Sequence, residues 1–85
     1  MSRYTIPVLD EKHEVVVGWD APLNTFFVQV YDHSIENEDE QLVIWEGAMP
    51  PRIHNLDFVV ATVKPFTPSP HIPADVLKNL LRDSD

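Results

Sequence analysis

The sequence has 85 residues, of which 44% are hydrophobic and 24% are charged, and its formal net charge is −8 at pH 7. This composition is typical of one small globular domain, residues 1-85, and the acidic excess argues against direct binding to nucleic acid or to anionic membranes. The absence of cysteine excludes disulfides, thiolate metal sites and cysteine nucleophiles.

The chain begins with an N-terminal arm, residues 1-12, that includes a short extended piece near Tyr4 to Ile6. The arm lacks the apolar central region of a secretory signal, and no run in the sequence approaches the length that spans a bilayer. We therefore expect a cytoplasmic protein that does not enter a membrane.

Two apolar runs joined by a turn-rich segment predict a β-hairpin. The first strand is expected from about His13 to Trp19 and the second from about Thr25 to Tyr31, because β-branched and aromatic residues dominate both. Residues 20–24 between them include Asp, Pro and Asn, which favour turns. An acidic loop over residues 32-41 follows, and Gln41 to Glu46 is expected to form a third strand.

Helical spacing appears in the second half of the chain. Leu56, Val59, Val60 and Val63 recur at the period of one helix face. Asn55 is placed to cap this helix. The β-branched residues of the same segment, 55–64, also allow a fourth strand. A proline-rich connection, residues 65-72, leads to a second helix near Pro73, with an apolar stripe of Val76, Leu77, Leu80 and Leu81.

These elements predict an α+β fold, in which a three-stranded antiparallel β-meander is followed by two short helices packed on one face. The strands are too apolar for a half-exposed sheet. One face is expected to hold Val16, Phe26, Val28 and Val30, and the other Val15, Val17, Trp19, Phe27, Tyr31, Leu42 and Ile44, although a slip of one residue in register would exchange them. The helices can cover only one face, so the other is expected to be an exposed apolar surface.

This exposed surface predicts a protein-protein interaction or oligomerisation module, with a protein partner or a second copy of the chain as its ligand. The proposed partner-binding residues are Trp19, Phe27, Tyr31, Leu42 and Ile44. Trp45 is expected to pack under the helices, whereas Trp19 is placed either to cover the hairpin or to contact a partner.

An alternative function is an acidic decoy, a nucleic-acid mimic that inhibits a basic nucleic-acid-binding protein. Its footprint would be the acidic patch formed by Glu36, Glu38, Asp39 and Glu40. A small-molecule carrier with an aromatic pocket near Trp19 is a third hypothesis. The four histidines lack the spacing of metal ligands, and the chain has no recognised catalytic constellation or glycine-rich phosphate loop, so we expect no enzyme activity, metal or cofactor.

The segment from Val15 to Phe27, which reads VVVGWDAPLNTFF, resembles a segment shared by short uncharacterised bacterial proteins. Ser2 to Pro7 before it and Leu42 to Trp45 after it belong to the same resemblance, which covers the first half of the chain best. Those proteins have no known activity. The resemblance therefore implies a bacterial protein and assigns no functional residue.

Overall fold

The computed structural model describes residues 2–48 and 51–85. In chain order its strands and helices are β1 (Tyr4–Ile6), β2 (His13–Asp20), β3 (Thr25–Asp32), β4 (Leu42–Glu46), α1 (Leu56–Val63) and α2 (Ala74–Asp83). Two short 3₁₀ turns, Glu38–Glu40 and Lys64–Phe66, lie in the connections. The α+β class expected from the sequence is confirmed.

The strands form one antiparallel sheet in the order β1-β2-β3-β4. The expected meander is present as β2, β3 and β4, but the prediction of three strands is wrong because the N-terminal arm adds β1 beside β2. Ile6 pairs with Val15, and the Ser2 N–H donates to the carbonyl oxygen of Trp19 at 2.9 Å. Burial of Ile6, which is 3% exposed, favours this addition.

The register between β2 and β3 decides which side chains share a face. Three pairs lie directly opposite each other: Val15–Val30, Val17–Val28 and Trp19–Phe26. Because opposite residues of an antiparallel pair point to the same face, these six side chains line one face, and they pack with both helices in the core. The predictions that Trp19 shares a face with Phe27 and Tyr31, and that Val16 shares one with Phe26, are therefore wrong.

The segment that allowed either a helix or a fourth strand forms α1. Asn55 caps it as expected, because its side-chain oxygen accepts a hydrogen bond from the Asp57 N–H at 2.7 Å. Val59 and Val63 are buried against the sheet, and the helix ends before Pro65, which lies in the following 3₁₀ turn. The strand that the sheet has in addition to the predicted three is therefore β1, and residues 55–64 do not supply it.

Helix α2 closes the core over β2. It starts directly after Pro73, and its buried residues are Val76 and Leu80. Leu81 remains 56% exposed, so the apolar stripe predicted for this helix is only partly buried. The Tyr4 hydroxyl donates to the carboxylate of Asp83, which ties β1 to the end of α2. Neither described helix has the length and apolar character needed to cross a membrane.

Candidate functional site

The helices pack on one face of the sheet, and the candidate site is the opposite face, called here the open face. Its residues include Thr5, Val16, Gly18, Phe27, Gln29, Tyr31, Leu42 and Trp45. The register that places Trp19 under the helices is what brings these side chains together, because neighbouring residues of a strand point to opposite faces.

Side chains lying flat on the open face shield its centre. A Cβ added at Gly18 would overlap the ring of Phe27, so this ring lies directly against the glycine backbone and is only 6% exposed. Arg3 donates to the Gln29 side-chain oxygen at 2.7 Å. Because β2 lies between Arg3 and β3, the arginine spans β2 on this face, and Val16, which pairs with Gln29, is 1% exposed.

Trp45 is the large apolar side chain that this layer leaves in solvent. It pairs with Gln29 on the edge strand β4 and is 57% exposed. Together with Arg3, Phe27 and Gln29 it borders a shallow pocket of about 110 Å³ that extends towards Leu23. The expectation that Trp45 packs under the helices is wrong, and the two tryptophans have exchanged the roles that the sequence suggested.

The five residues predicted to bind a partner do not form one surface. Trp19 is 8% exposed and stacks edge-on against Phe26 in the core, and Ile44 also packs against the core. Phe27 and Tyr31 lie on the open face. Leu42 lies opposite Tyr31 and is partly buried. The structure therefore brings together only Phe27, Tyr31 and Leu42 of the predicted set.

Sequence reasoning missed Trp45, Val43 and Arg3. Val43 is the extra residue at a β-bulge between β3 and β4, and it is 46% exposed. No local signal in the sequence marks Trp45, because its exposure follows from the length of the β2–β3 loop, which the turn-rich segment does not fix. Four residues separate Asp20 from Thr25, and this even number pairs odd-numbered residues of β2 with even-numbered residues of β3.

A polar network borders the open face beside Tyr31. The His33 ring nitrogens lie 2.9 Å from the Glu14 carboxylate and 3.0 Å from the Gln41 side-chain oxygen. The Gln41 side-chain nitrogen donates to the Ile35 carbonyl. This hydrogen bond orients the Gln41 side-chain oxygen towards the histidine. Both partners are acceptors, so the Glu14 hydrogen bond first and the Gln41 bond second raise the pKa of His33. The ring stacks on Tyr31 with centroids 6.1 Å apart.

The acidic patch, Glu36, Glu38, Asp39 and Glu40, lies in the connection between β3 and β4. All four side chains are exposed, and three of them form the 3₁₀ turn capped by the side chain of Asn37. The ion pairs found in residues 2–48 and 51–85 involve other carboxylates, Asp32, Glu14 and Asp83. The patch is therefore a concentration of negative charge at the start of β4.

Chemically, the open face offers an arginine, a tyrosine and a tryptophan around buried apolar side chains, and these three residue types are enriched at protein–protein interfaces. Within the described ranges, no three His, Asp or Glu side chains converge to hold a metal ion. Comparisons with protein-family models, with curated proteins and with solved structures found no match.

Proposed function

We propose that this chain is a non-catalytic, cytoplasmic protein that binds a lysine- and arginine-rich protein partner through the open face. The observation that carries the proposal is the exposure of Trp45, 57%, on the sheet face opposite the helices. Tryptophan, tyrosine and arginine dominate the residues that contribute most to binding, and Trp45, Tyr31 and Arg3 stand together here.

Charge supports a basic partner over a second copy. Each chain carries a net charge of −8, and the acidic patch lies at the start of β4, the strand that holds Trp45. Two copies meeting through this region would bring like charges together, whereas lysine and arginine on a partner would complement them. The homodimer that the sequence also predicted is thus the less favoured occupant.

A photo-crosslinking residue at Val43 tests the proposal in the native cell. Val43 is 46% exposed beside Trp45, and Leu81, 56% exposed on α2, is the matched control position. We expect a protein adduct from position 43 that is absent from position 81 and that is lost when Trp45→Ser is combined with the crosslinker. Mass spectrometry of the adduct should identify a basic protein.

Two results would contradict this proposal. Equal adducts from positions 43 and 81 would mean that the open face has no preferred partner. An adduct consisting of two copies of the chain, together with a dimer in sedimentation equilibrium that Trp45→Ser dissolves, would replace the basic partner with a homodimer.

The acidic decoy is the second candidate, favoured by the exposure of all four acidic-patch side chains. It predicts that changing Glu36, Glu38, Asp39 and Glu40 to their amides abolishes capture of the partner while Trp45→Ser leaves capture intact. The open-face proposal predicts that Trp45→Ser has the larger effect. Measuring the affinity of both variants for the crosslinked partner separates the two functions.

A further inference from the structure

The two edges of the sheet differ in how they are protected. Edge strand β1 has three residues and is followed directly by Pro7, which cannot donate a backbone hydrogen bond. Edge strand β4 has five residues, Leu42–Glu46, with neither lysine nor proline among them. Short length, charged side chains, lysine above all, proline and β-bulges protect a sheet edge, and β4 has only the bulge at Val43 and the terminal Glu46. In the described part of the chain no strand lies beyond β4, so its outer backbone groups are available for pairing.

Exposed apolar side chains lie on both sides of the β4 edge. Val43 and Trp45 are 46% and 57% exposed on one side. On the helix side, Glu46, Ile53 and Phe58 border a second pocket of about 250 Å³, and Phe58 is 49% exposed. An added strand directs alternate side chains to opposite faces of a sheet. Such a strand would therefore contact Trp45 with one set of its side chains and Phe58 with the other.

Charges along the edge indicate the chemistry of that strand. The acidic patch precedes β4, and Glu46 ends it. Arg52 and His54 border the pocket beyond Glu46, so the negative charge is concentrated at the start of the strand. A twofold-related β4 would be antiparallel, and it would bring Glu46, together with Arg52 of the pocket beyond it, towards the acidic patch of the other copy, while two chains of net charge −8 repel each other. A segment with lysine or arginine beside the acidic patch avoids this repulsion.

We propose that β4 accepts an extended, lysine- or arginine-bearing segment of a partner protein as a fifth strand of the sheet. This inference rests on the proposed function and specifies how the partner binds. Backbone hydrogen bonds to the β4 edge hold the segment, and Trp45 and Phe58 receive its alternate side chains.

Three synthetic peptides of alternating lysine and valine test this mode of binding. The first is unmodified, the second is N-methylated at alternate amides so that one edge can still pair, and the third is N-methylated at every amide. All three carry the same charge. We expect the first two to quench Trp45 fluorescence with similar affinity, and the third to bind about tenfold or more weakly, the scale of a lost binding hot spot.

The protein variants Trp45→Lys and Leu81→Lys provide the matched control, because the two side chains are 57% and 56% exposed. Lysine at position 45 should weaken binding of the second peptide, measured by calorimetry, at least about tenfold, and lysine at position 81 should leave it within about twofold. Equal binding of all three peptides would overturn strand pairing and indicate attraction by charge alone.

Failure of this inference can be told apart from failure of the proposed function. Crosslinks specific to position 43 combined with equal binding of the three peptides would keep the open face as a binding surface and refute the fifth strand. A dimer whose interface includes β4 would overturn the basic segment as the occupant, and sedimentation of the wild type against Trp45→Lys measures this directly.

Discussion

Gly18 is a residue at which the N-terminal arm meets the open face. Its backbone lies under the ring of Phe27 and beside the carbonyl oxygen of Ser2, and a Cβ at this position would overlap both. The Ser2 backbone is held in place by its hydrogen bond to Trp19, so it cannot move aside for the added methyl group without breaking that pairing.

We therefore expect Gly18→Ala to lower the free energy of unfolding by about 1–3 kcal/mol, the usual cost of overpacking. Urea denaturation of the purified protein measures this. The control is Thr5→Ala, an exposed neighbour on the same face, which should change stability by less than about 0.5 kcal/mol. Equal stability of Gly18→Ala and the wild type would show that Phe27 does not lie against the glycine.

His33 makes part of the stability dependent on pH. Protonated imidazole donates from both ring nitrogens and satisfies both Glu14 and Gln41, whereas the neutral ring can donate to only one of them. The pKa of His33 is raised in the folded state, so its contribution is fully present below the unfolded value of 6.5 and is lost as pH rises through the folded pKa.

We expect the difference in urea midpoint between the wild type and His33→Gln to be largest near pH 5 and to shrink as the pH is raised above the folded pKa. Urea titrations at several pH values measure it, and an NMR titration of the His33 ring gives the pKa directly. Because the ring is partly exposed, the effect is small. A difference that grows with pH would contradict the raised pKa.

At the scale of elements, the hairpin, the third strand of the meander and both helices could be predicted from local patterns, because turn residues, the Asn55 cap and helical spacing act over a few neighbours. The assignment of side chains to the two faces of the sheet could not be predicted from such patterns. It depends on whether an odd or an even number of residues lies between β2 and β3, and the turn-rich segment allowed either. Placing Trp19 outside and Trp45 inside followed from that single choice.

An extended piece near Tyr4 to Ile6 is expected from the sequence, but its addition to the sheet as β1 could not be predicted, for a different reason. Its three residues, Tyr4–Ile6, are too few to show a period, and their pairing with β2 depends on contacts distant in sequence. The residues of the candidate site could not be predicted for the same reason, because their positions depend on contacts distant in sequence. Arg3 reaches the open face only because β1 is present, and Trp45 is exposed only because the register buries Trp19.

The segment that leads into α1 is attached to β3 through a buried hydroxyl and through the Phe26 N–H, which donates to the Ile53 carbonyl at 2.9 Å. Thr25 Oγ1 accepts a hydrogen bond from the Ile53 N–H at 2.8 Å and donates to the Phe26 carbonyl at 2.8 Å. Ile53 also pairs with Phe26. Replacing the hydroxyl with a methyl group of similar size leaves the buried Ile53 N–H without this acceptor.

We expect Thr25→Val to lower the free energy of unfolding by about 1–3 kcal/mol, the cost of an unsatisfied buried donor. The matched control is Thr62→Val on α1, where the hydroxyl donates to the Phe58 carbonyl at an exposed position and its loss should cost less than about 0.5 kcal/mol. Thermal unfolding of both variants distinguishes them, and equal melting temperatures would show that the hydroxyl does not hold this segment.

For the whole molecule, the excess of acidic residues makes folding and partner binding respond to salt in opposite directions. Fourteen acidic residues oppose six basic ones, and the compact state holds these charges closer together than the unfolded chain does. Salt screens this repulsion, so it should stabilise the fold. Salt also screens attraction between the acidic patch and a basic segment, so it should weaken binding.

We expect added sodium chloride to raise the free energy of unfolding by on the order of 1 kcal/mol, which for a chain of this size is a rise of roughly 4–8 °C in melting temperature. The same salt should weaken binding of the lysine–valine peptide. Changing the four acidic-patch residues to amides halves the net charge of −8 and should reduce both responses. Calorimetry of unfolding and of binding across a salt series measures the two effects together. Binding that strengthens with salt would show that apolar contact with Trp45, and not charge, selects the partner.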